Sequence, residues 1–185
     1  MKSVATITEP VVAVLDAGGQ YVDLVRRACE RIGYPTIVLP LDTPAQELKS
    51  NFKAIIISGS PASSQEINAP MPDPEVWNLN IPILGICYGL HAMVTNFGGV
   101  IVHGSSRQDG RATTTVDTKH PLFKNTKANF GALFTHGNFV AKVPSGFETI
   151  GKHIMPDGTT VYSAIAKNNL LAVQFHPEVF DDTPV

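Results

Sequence analysis

The sequence has few of the features that would tie it to nucleic acid or to a membrane. Charged residues make up only 16% of its 185 positions, the formal net charge is −2, and lysine and arginine form no block. Neither nucleic acid nor an anionic membrane surface is therefore an expected partner. No apolar run approaches membrane-spanning length, and the first ten residues lack the apolar core of a signal peptide, so a cytoplasmic protein is expected.

Cysteine is equally scarce. Cys29 and Cys87 are the only two, and they lack the paired Cys/His spacing of a zinc site, so neither a disulfide framework nor structural zinc is expected. Cys29 lies on the apolar stripe of a predicted helix and is interpreted as structural. A metal site is not expected, because four further histidines are scattered singly along the chain: His103, His120, His136 and His153.

Hydrophobic residues, at 43%, occur in a pattern typical of one α/β domain. In the first half, apolar runs alternate with helical spacing, which predicts an open, mostly parallel twisted sheet with helices on both faces. Beyond Gly98-Gly99, short strand-like runs predict antiparallel additions to the sheet, including a hairpin across Lys167-Asn168-Asn169. These runs are at 100–102, 112–116, 133–134, 147–150, 159–166 and 170–175. We expect residues 1–10 to form a polar leader and residues 11–185 a single domain. The predicted early elements are strands at 11–15, 36–39, 53–57 and 83–86 and helices at 20–32, 43–48 and 90–97.

Cys87 lies between two glycines where a buried strand is predicted to turn into a helix. Gly85 and Gly89 would let the chain reverse sharply, and the helix start would offer free N–H groups and a positive dipole end. Both features favour a reactive thiolate and an oxyanion beside it. A small buried cysteine that merely fills a core is the alternative for this motif taken alone.

The final strand-like run delivers His176 and Glu178 at its end. Side chains two apart on an extended chain point the same way, so the two share a face if Pro177 keeps the chain extended. A cysteine nucleophile needs a base, and the base needs a carboxylate that orients its ring. Cys87, His176 and Glu178 are residues of these three types, although His-Pro-Glu alone is also compatible with a polar turn.

Three motifs in this order resemble the signatures of class I, triad-type glutamine amidotransferases. They are Ser58-Gly59-Ser60-Pro61, Gly85-Ile86-Cys87-Tyr88-Gly89 and Gln174-Phe175-His176-Pro177-Glu178-Val179. Within that class, three further segments are similar to the amidotransferase domain of GMP synthase: 15–21, 107–110 and 135–137. The resemblance runs from about residue 11 to residue 179 and implies a flavodoxin-like fold of the amidotransferase type.

The resemblance implies glutamine hydrolysis through a γ-glutamyl thioester on Cys87, with His176 and Glu178 completing the triad. Backbone N–H groups of Ser60 and Tyr88 would form the oxyanion hole. Ammonia would pass to an ATP-pyrophosphatase synthetase domain or subunit that aminates XMP to GMP, so ATP and Mg²⁺ are expected only there and no cofactor is expected here. Substrate-binding residues implied by the resemblance are Gly59, Ser60, Tyr88, His91, His136, Gly137 and Asn138.

Four departures from the family pattern bear on activity. Ser60 replaces a glycine that supplies an oxyanion N–H, and a positive φ there would cost roughly 1 kcal/mol or more. His91 replaces a glutamine that helps to hold substrate, and Asn138 replaces an aspartate. The chain also stops in a polar tail at 181–184 where relatives carry one more helix, so we expect it to lack that helix and the downstream synthetase domain.

Two alternatives therefore stay open beside the glutaminase. One is a degenerate, non-catalytic amidotransferase-like module that keeps the fold for binding or regulation. The other is a related Cys-His-Glu hydrolase of γ-glutamyl peptides, which should lack the resemblance at Gln20-Tyr21 and at 135–137.

Overall fold

The structure of the chain, a computed structural model, describes residues 11–155 and 157–179. The predicted polar leader and the polar tail lie outside these residues. Within them, three α-helices cover a single sheet of nine strands. The helices are α1 Val22–Arg31, α2 Ala45–Asn51 and α3 Tyr88–Asn96. The strands are β1 Val12–Asp16, β2 Thr36–Pro40, β3 Ala54–Ile57, β4 Ile83–Ile86, β5 Val100–Val116, β6 Asn129–Lys142, β7 Glu148–Ile154, β8 Thr160–Lys167 and β9 Leu170–Val173.

The strand order is β2-β1-β3-β4-β9-β8-β7-β5-β6. From β2 to β9 all neighbours are parallel, and from β9 to β6 all are antiparallel. The mixed α/β architecture predicted from the sequence is confirmed. The predicted hairpin joins β8 to β9, and Asn168 occupies its turn with a φ of 53°, a left-handed conformation that asparagine tolerates.

Alternate side chains of the parallel strands enter two cores, one on each face of the sheet. Leu15 of β1 packs in one core with Leu48 of α2 and Met93 of α3. Val14, the preceding residue, packs in the other core with Val25 of α1. Helices therefore cover both faces, as the strands' continuous apolar sequences require. In the described part of the chain, no helix is both long and apolar enough to cross a membrane.

The C-terminal half contains longer strands than the sequence predicted. Short runs were expected at 100–102, 112–116 and 133–134, whereas β5 is continuous over 17 residues and pairs with β6 along most of its length. The polar segment of β5 looks like a loop in sequence, but pairing with β6 satisfies its backbone without burying every side chain. A register shift between His103 and Gln108 accommodates the irregular part.

Helix α3 also begins earlier than predicted, at Tyr88 instead of Leu90. No linker separates β4 from this helix, so Cys87 alone makes the turn. The carboxyl ends of β1, β3, β4 and β9 lie at one edge of the sheet, which is where open α/β sheets bind ligands.

Candidate active site

Cys87 is held in a strained turn between β4 and α3. Its φ is 51° and its ψ is −97°, a combination that a residue with a Cβ atom adopts rarely and at a cost of about 1–3 kcal/mol. The Cys87 N–H donates to the carbonyl of Val173 at 2.8 Å, and the Cys87 carbonyl accepts from the N–H of His91 at 3.2 Å. Strand β9 and helix α3 thus fix the orientation of the thiol.

Gly89 allows α3 to lie against the end of β3. A Cβ atom at this position would lie 2.6 Å from the backbone oxygen of Ile57, closer than any ordinary contact. The sequence pattern of glycines around Cys87 therefore has a packing cause as well as a conformational one.

His176 and Glu178 form a buried pair at the end of β9. Nδ1 of His176 lies 2.7 Å from Oε1 of Glu178, and each residue is only 5% exposed. A carboxylate can only accept, so Nδ1 carries the proton that it donates, while Nε2 makes no hydrogen bond of good geometry among the described residues. The N–H of His176 donates to the carbonyl of Leu133 at 2.9 Å, which anchors the histidine to β6.

Gly59 brings the loop after β3 against both Cys87 and His176. A Cβ atom on Gly59 would lie 2.9 Å from Cε1 of His176 and 3.8 Å from Cβ of Cys87. The nucleophile and the base therefore meet at one point, although they are 89 positions apart in the chain. Tyr21 packs its ring edge-on against the His176 ring, with centroids 5.1 Å apart.

The surroundings of His176 favour its charged form. Burial alone would lower the pKa of His176, but the Cys87 sulfur and the Glu178 carboxylate outweigh burial and raise that pKa to about 9. An imidazolium is therefore the main form of His176 at neutral pH, and it can give a proton to a leaving group.

A cavity of about 440 Å³ opens over Cys87 at the carboxyl edge of the parallel strands. This volume is within the range of small-ligand sites. Glu178 lies behind His176 and does not line the cavity, but every other site residue predicted from the sequence does. Those residues are Gly59, Ser60, Cys87, Tyr88, His91, His136, Gly137, Asn138 and His176.

The two residues of the predicted oxyanion hole line the cavity together with Cys87. Among the described non-glycine residues only Cys87 and Asn168 have a positive φ. Ser60 therefore does not have the backbone strain that a positive φ would cause in a residue that replaces glycine. The Ser60 hydroxyl accepts from the N–H of Ala62. The Tyr88 phenol donates to the carbonyl of Pro70 at 2.5 Å, and burial raises the pKa of Tyr88 to about 12, so this side chain stays neutral.

His136 presents a buried acceptor to the cavity. Its Nδ1 donates to the carbonyl of Asn138 at 2.9 Å, so Nε2 carries the lone pair, and Nε2 has no partner among the described residues. Burial lowers the pKa of His136 to about 3, which keeps the ring neutral. A ligand with N–H donors would satisfy this nitrogen.

Both polar atoms of the Asn138 side chain make hydrogen bonds. Its Oδ1 accepts from Nδ1 of His103 at 2.9 Å, and its Nδ2 donates to the hydroxyl of Ser63 at 2.8 Å. The amide therefore ties β6 to β5 and to the loop after β3.

Sequence reasoning missed three groups that reach this site. The carbonyl of Thr135 lies 4.0 Å from the Cys87 sulfur, Nε2 of Gln174 lies 3.7 Å from it, and Arg107 lines the cavity in an ion pair with Asp109. Gln174 could have been predicted from the sequence, because it precedes His176 by two positions and so shares its side of an extended chain.

In the described residues, no cluster of three or more His, Cys, Asp or Glu side chains is arranged to hold a metal ion.

Comparisons with known proteins identify the family of the chain. The sequence profile of glutamine amidotransferase class-I matches residues 13–183. GMP synthase (glutamine-hydrolyzing) of Thermosipho melanesiensis is 42% identical over 171 residues, and that of Nostoc punctiforme is 36% identical over 182 residues. These alignments cover 91% and 97% of this chain but only 32% and 33% of the relatives. The chain thus spans about a third of the length of these curated relatives.

Solved structures share the fold at lower identity. A GMP synthase-type protein of Thermoplasma acidophilum superposes with a TM-score of 0.76 at 21% identity, covering 93% of this chain and 86% of that one. A glutamine amidotransferase of Thermotoga maritima superposes with a TM-score of 0.70 at 16% identity, covering 92% and 76%. The profile match over nearly the whole chain decides the assignment: the chain belongs to the class I glutamine amidotransferase family.

Proposed function

We propose that this chain is the glutaminase unit of a GMP synthase, hydrolysing glutamine to glutamate and ammonia. The observation that carries the proposal is the meeting of Cys87, on its strained turn, with the buried His176–Glu178 pair at one cavity. The family assignment and the GMP synthase relatives support the choice of glutamine as substrate.

In the first half-reaction, the Cys87 thiolate attacks the δ-carbon of the glutamine side chain. The carbonyl electrons move to oxygen, and the backbone N–H groups of Ser60 and Tyr88 stabilise that oxyanion. As the intermediate collapses, Nε2 of His176 gives its proton to the amide nitrogen, the C–N bond breaks and ammonia leaves. The product on the enzyme is a γ-glutamyl thioester with Cys87.

In the second half-reaction, water replaces the thiolate. Nε2 of His176, now without its proton, takes one from a water molecule as that water attacks the thioester carbon. The second tetrahedral intermediate expels the Cys87 sulfur, which leaves glutamate and restores the thiolate–imidazolium pair. Glu178 keeps Nδ1 protonated and holds the ring in place throughout.

The neutral His136 suits a role in substrate binding. Its unpaired Nε2 accepts from an N–H of glutamine, such as the α-ammonium group, and the cavity around it has room for the whole amino acid. Gly59 and Gly137 contribute backbone beside the substrate, since both line the same cavity.

The proposed partner is a synthetase domain or subunit that uses the ammonia to aminate XMP to GMP. ATP and Mg²⁺ belong to that partner, because the glutaminase half-reaction as written uses only side chains and water. A cytoplasmic location is part of the proposal, since Cys29 and Cys87 are both free thiols and a reducing compartment preserves them.

A glutaminase assay tests the proposal. We expect wild-type protein to release ammonia from glutamine, with a rate that rises when a GMP synthase synthetase unit is added, and Cys87→Ala to release none. Cys29→Ala, which changes the other thiol on α1 outside the cavity lining, should behave as wild type. Equal ammonia release by wild type and Cys87→Ala in every condition would overturn the proposal in favour of the degenerate module. Faster cleavage of γ-glutamyl peptides than of glutamine would favour the γ-glutamyl hydrolase.

A further inference from the structure

A chain of two hydrogen bonds, unused in the mechanism above, ends on the Cys87 sulfur. Nε2 of His91 lies 2.9 Å from Oε1 of Gln174, and Nε2 of Gln174 lies 3.7 Å from Sγ of Cys87. Both side chains are almost completely buried, with exposures of 4% for His91 and 1% for Gln174. Buried polar groups in such positions are costly unless their hydrogen bonds are made in one defined direction.

The start of α3 and the end of β9 lie side by side and bring the three residues together. His91 lies four positions after Cys87, one turn along α3, so both side chains lie on one face of the helix start. Gln174 follows Val173, whose carbonyl accepts from the N–H of Cys87. The end of β9 therefore supplies both the base of the triad and an amide group beside the nucleophile.

The orientation of the Gln174 amide sets the hydrogen-bond directions. Burial lowers the pKa of His91 to about 4, so the ring is neutral at physiological pH and has one N–H. The amide oxygen of Gln174 can only accept, which requires that N–H on Nε2 of His91. The NH₂ group of Gln174 then points at Cys87. A reversed amide would set its oxygen against the thiolate at Cys87 and would require the other tautomer of His91.

We infer that Gln174 donates a hydrogen bond that stabilises the Cys87 thiolate, and that His91 is a positioning residue that holds the Gln174 amide in the donating orientation. This inference rests on the proposed function, because a stabilised thiolate matters only if Cys87 is a nucleophile. It also gives His91 a role that does not require contact with glutamine.

Several other ionisable groups influence the same sulfur and must be held constant in a test. His176 contributes its positive charge from the end of β9, and Arg107 contributes another from β5. His136 on β6 is neutral and lines the same cavity. None of the substitutions below replaces these groups or Glu178. Gln174→Met also leaves the neighbouring His91 and His136 rings in place, so a shift in thiol reactivity in that variant reports the Gln174 amide.

Alkylation of Cys87 by iodoacetamide, followed against pH, is the direct test. The measurement uses a Cys29→Ala background, so that only Cys87 reacts. Gln174→Met keeps the volume and removes the donor, and His91→Phe keeps a ring and removes the N–H. For Gln174→Met we expect the pH of half-maximal alkylation to rise by about one unit. At pH values below the midpoint, the reaction should therefore be about tenfold slower than in the wild type. The high-pH plateau should not change.

The positioning role predicts a graded result at position 91. His91→Phe should shift the midpoint in the same direction as Gln174→Met, while His91→Gln should restore it, because the new amide NH₂ can donate to Oε1 of Gln174. A merely structural role would alter the plateau or the folded fraction without this pattern of loss and rescue. Circular dichroism checks folding, and Gln174→Asn, which withdraws the amide from the sulfur, replaces Gln174→Met if that variant does not fold.

Unchanged midpoints in folded Gln174 and His91→Phe variants would overturn the inference. The result is separate from the fate of the proposed function, which depends on glutamine hydrolysis by the wild type. Wild-type hydrolysis with unshifted variants would remove the inference alone. Shifted midpoints without any wild-type hydrolysis would leave the hydrogen-bond chain and remove the glutaminase.

Discussion

At Cys87 the backbone is bent into a conformation that favours glycine, and packing on both sides holds it there. Alanine retains the Cβ atom and its strain, whereas glycine relieves it. We therefore expect Cys87→Gly to have a free energy of unfolding about 1 kcal/mol higher than Cys87→Ala, the reverse of the ordinary order for the two residues. Urea denaturation of the two variants measures the difference, and a more stable Cys87→Ala would show that the turn is unstrained.

His176 should set the alkaline limit of activity. Its pKa is raised to about 9, and the mechanism needs its proton for the departing ammonia, so kcat/KM for glutamine should fall as the pH rises through about 9. Glu178→Gln removes a negative charge that favours the imidazolium, so this limb should move to lower pH. Stopped assays across pH 6–10 measure both profiles. An alkaline limb that stays in place in Glu178→Gln would mean that the carboxylate does not control the base.

Strand β4 and helix α3 are joined by Cys87 alone, and the first turn of the helix packs against the end of β3. Gly89→Ala would place a Cβ atom 2.6 Å from the backbone oxygen of Ile57, and we expect it to lower the free energy of unfolding by about 1–3 kcal/mol and to remove glutaminase activity. Gly131→Ala is the matched control, because a Cβ atom there meets nothing within 4 Å. Similar losses in both variants would contradict the packing argument.

Periodicity and turn chemistry in the sequence were enough to predict the parallel half of the sheet and the elements that carry Cys87 and His176. Those elements are short, strongly apolar strands, for which the local sequence pattern and the burial agree. The long β5 was not predictable, since its polar segment forms a strand only because β6 lies beside it. The hydrogen bond from Gln174 to Cys87 was likewise not predictable from the sequence, because it depends on β9 lying beside β4 in the sheet.

Across the whole molecule, buried neutral histidines should make the fold sensitive to acid. The unfolded chain takes up protons on His91 and His136 near pH 6.5, whereas the folded chain does not until about pH 4 and about pH 3. The unfolded state therefore binds more protons between these values, and stability falls as the pH falls, by up to about 1.4 kcal/mol per pH unit for each histidine.

Urea denaturation between pH 7 and pH 4.5 measures this slope, with His136→Gln as the comparison. The variant loses one titrating group, so its stability should depend less steeply on pH than that of the wild type. An equal slope in both proteins would show that His136 is protonated in the folded state.

The chain matches about a third of the length of its GMP synthase relatives, and the two half-reactions proposed above use only residues of this chain. They pass through a covalent γ-glutamyl intermediate on Cys87. Acid quenching during turnover of glutamine, followed by peptide mass spectrometry, tests it most directly. We predict one γ-glutamyl group on the peptide that contains Cys87, absent from Cys87→Ala and from samples without glutamine. Glutamine turnover without any such adduct, or with an adduct on another residue, would contradict it.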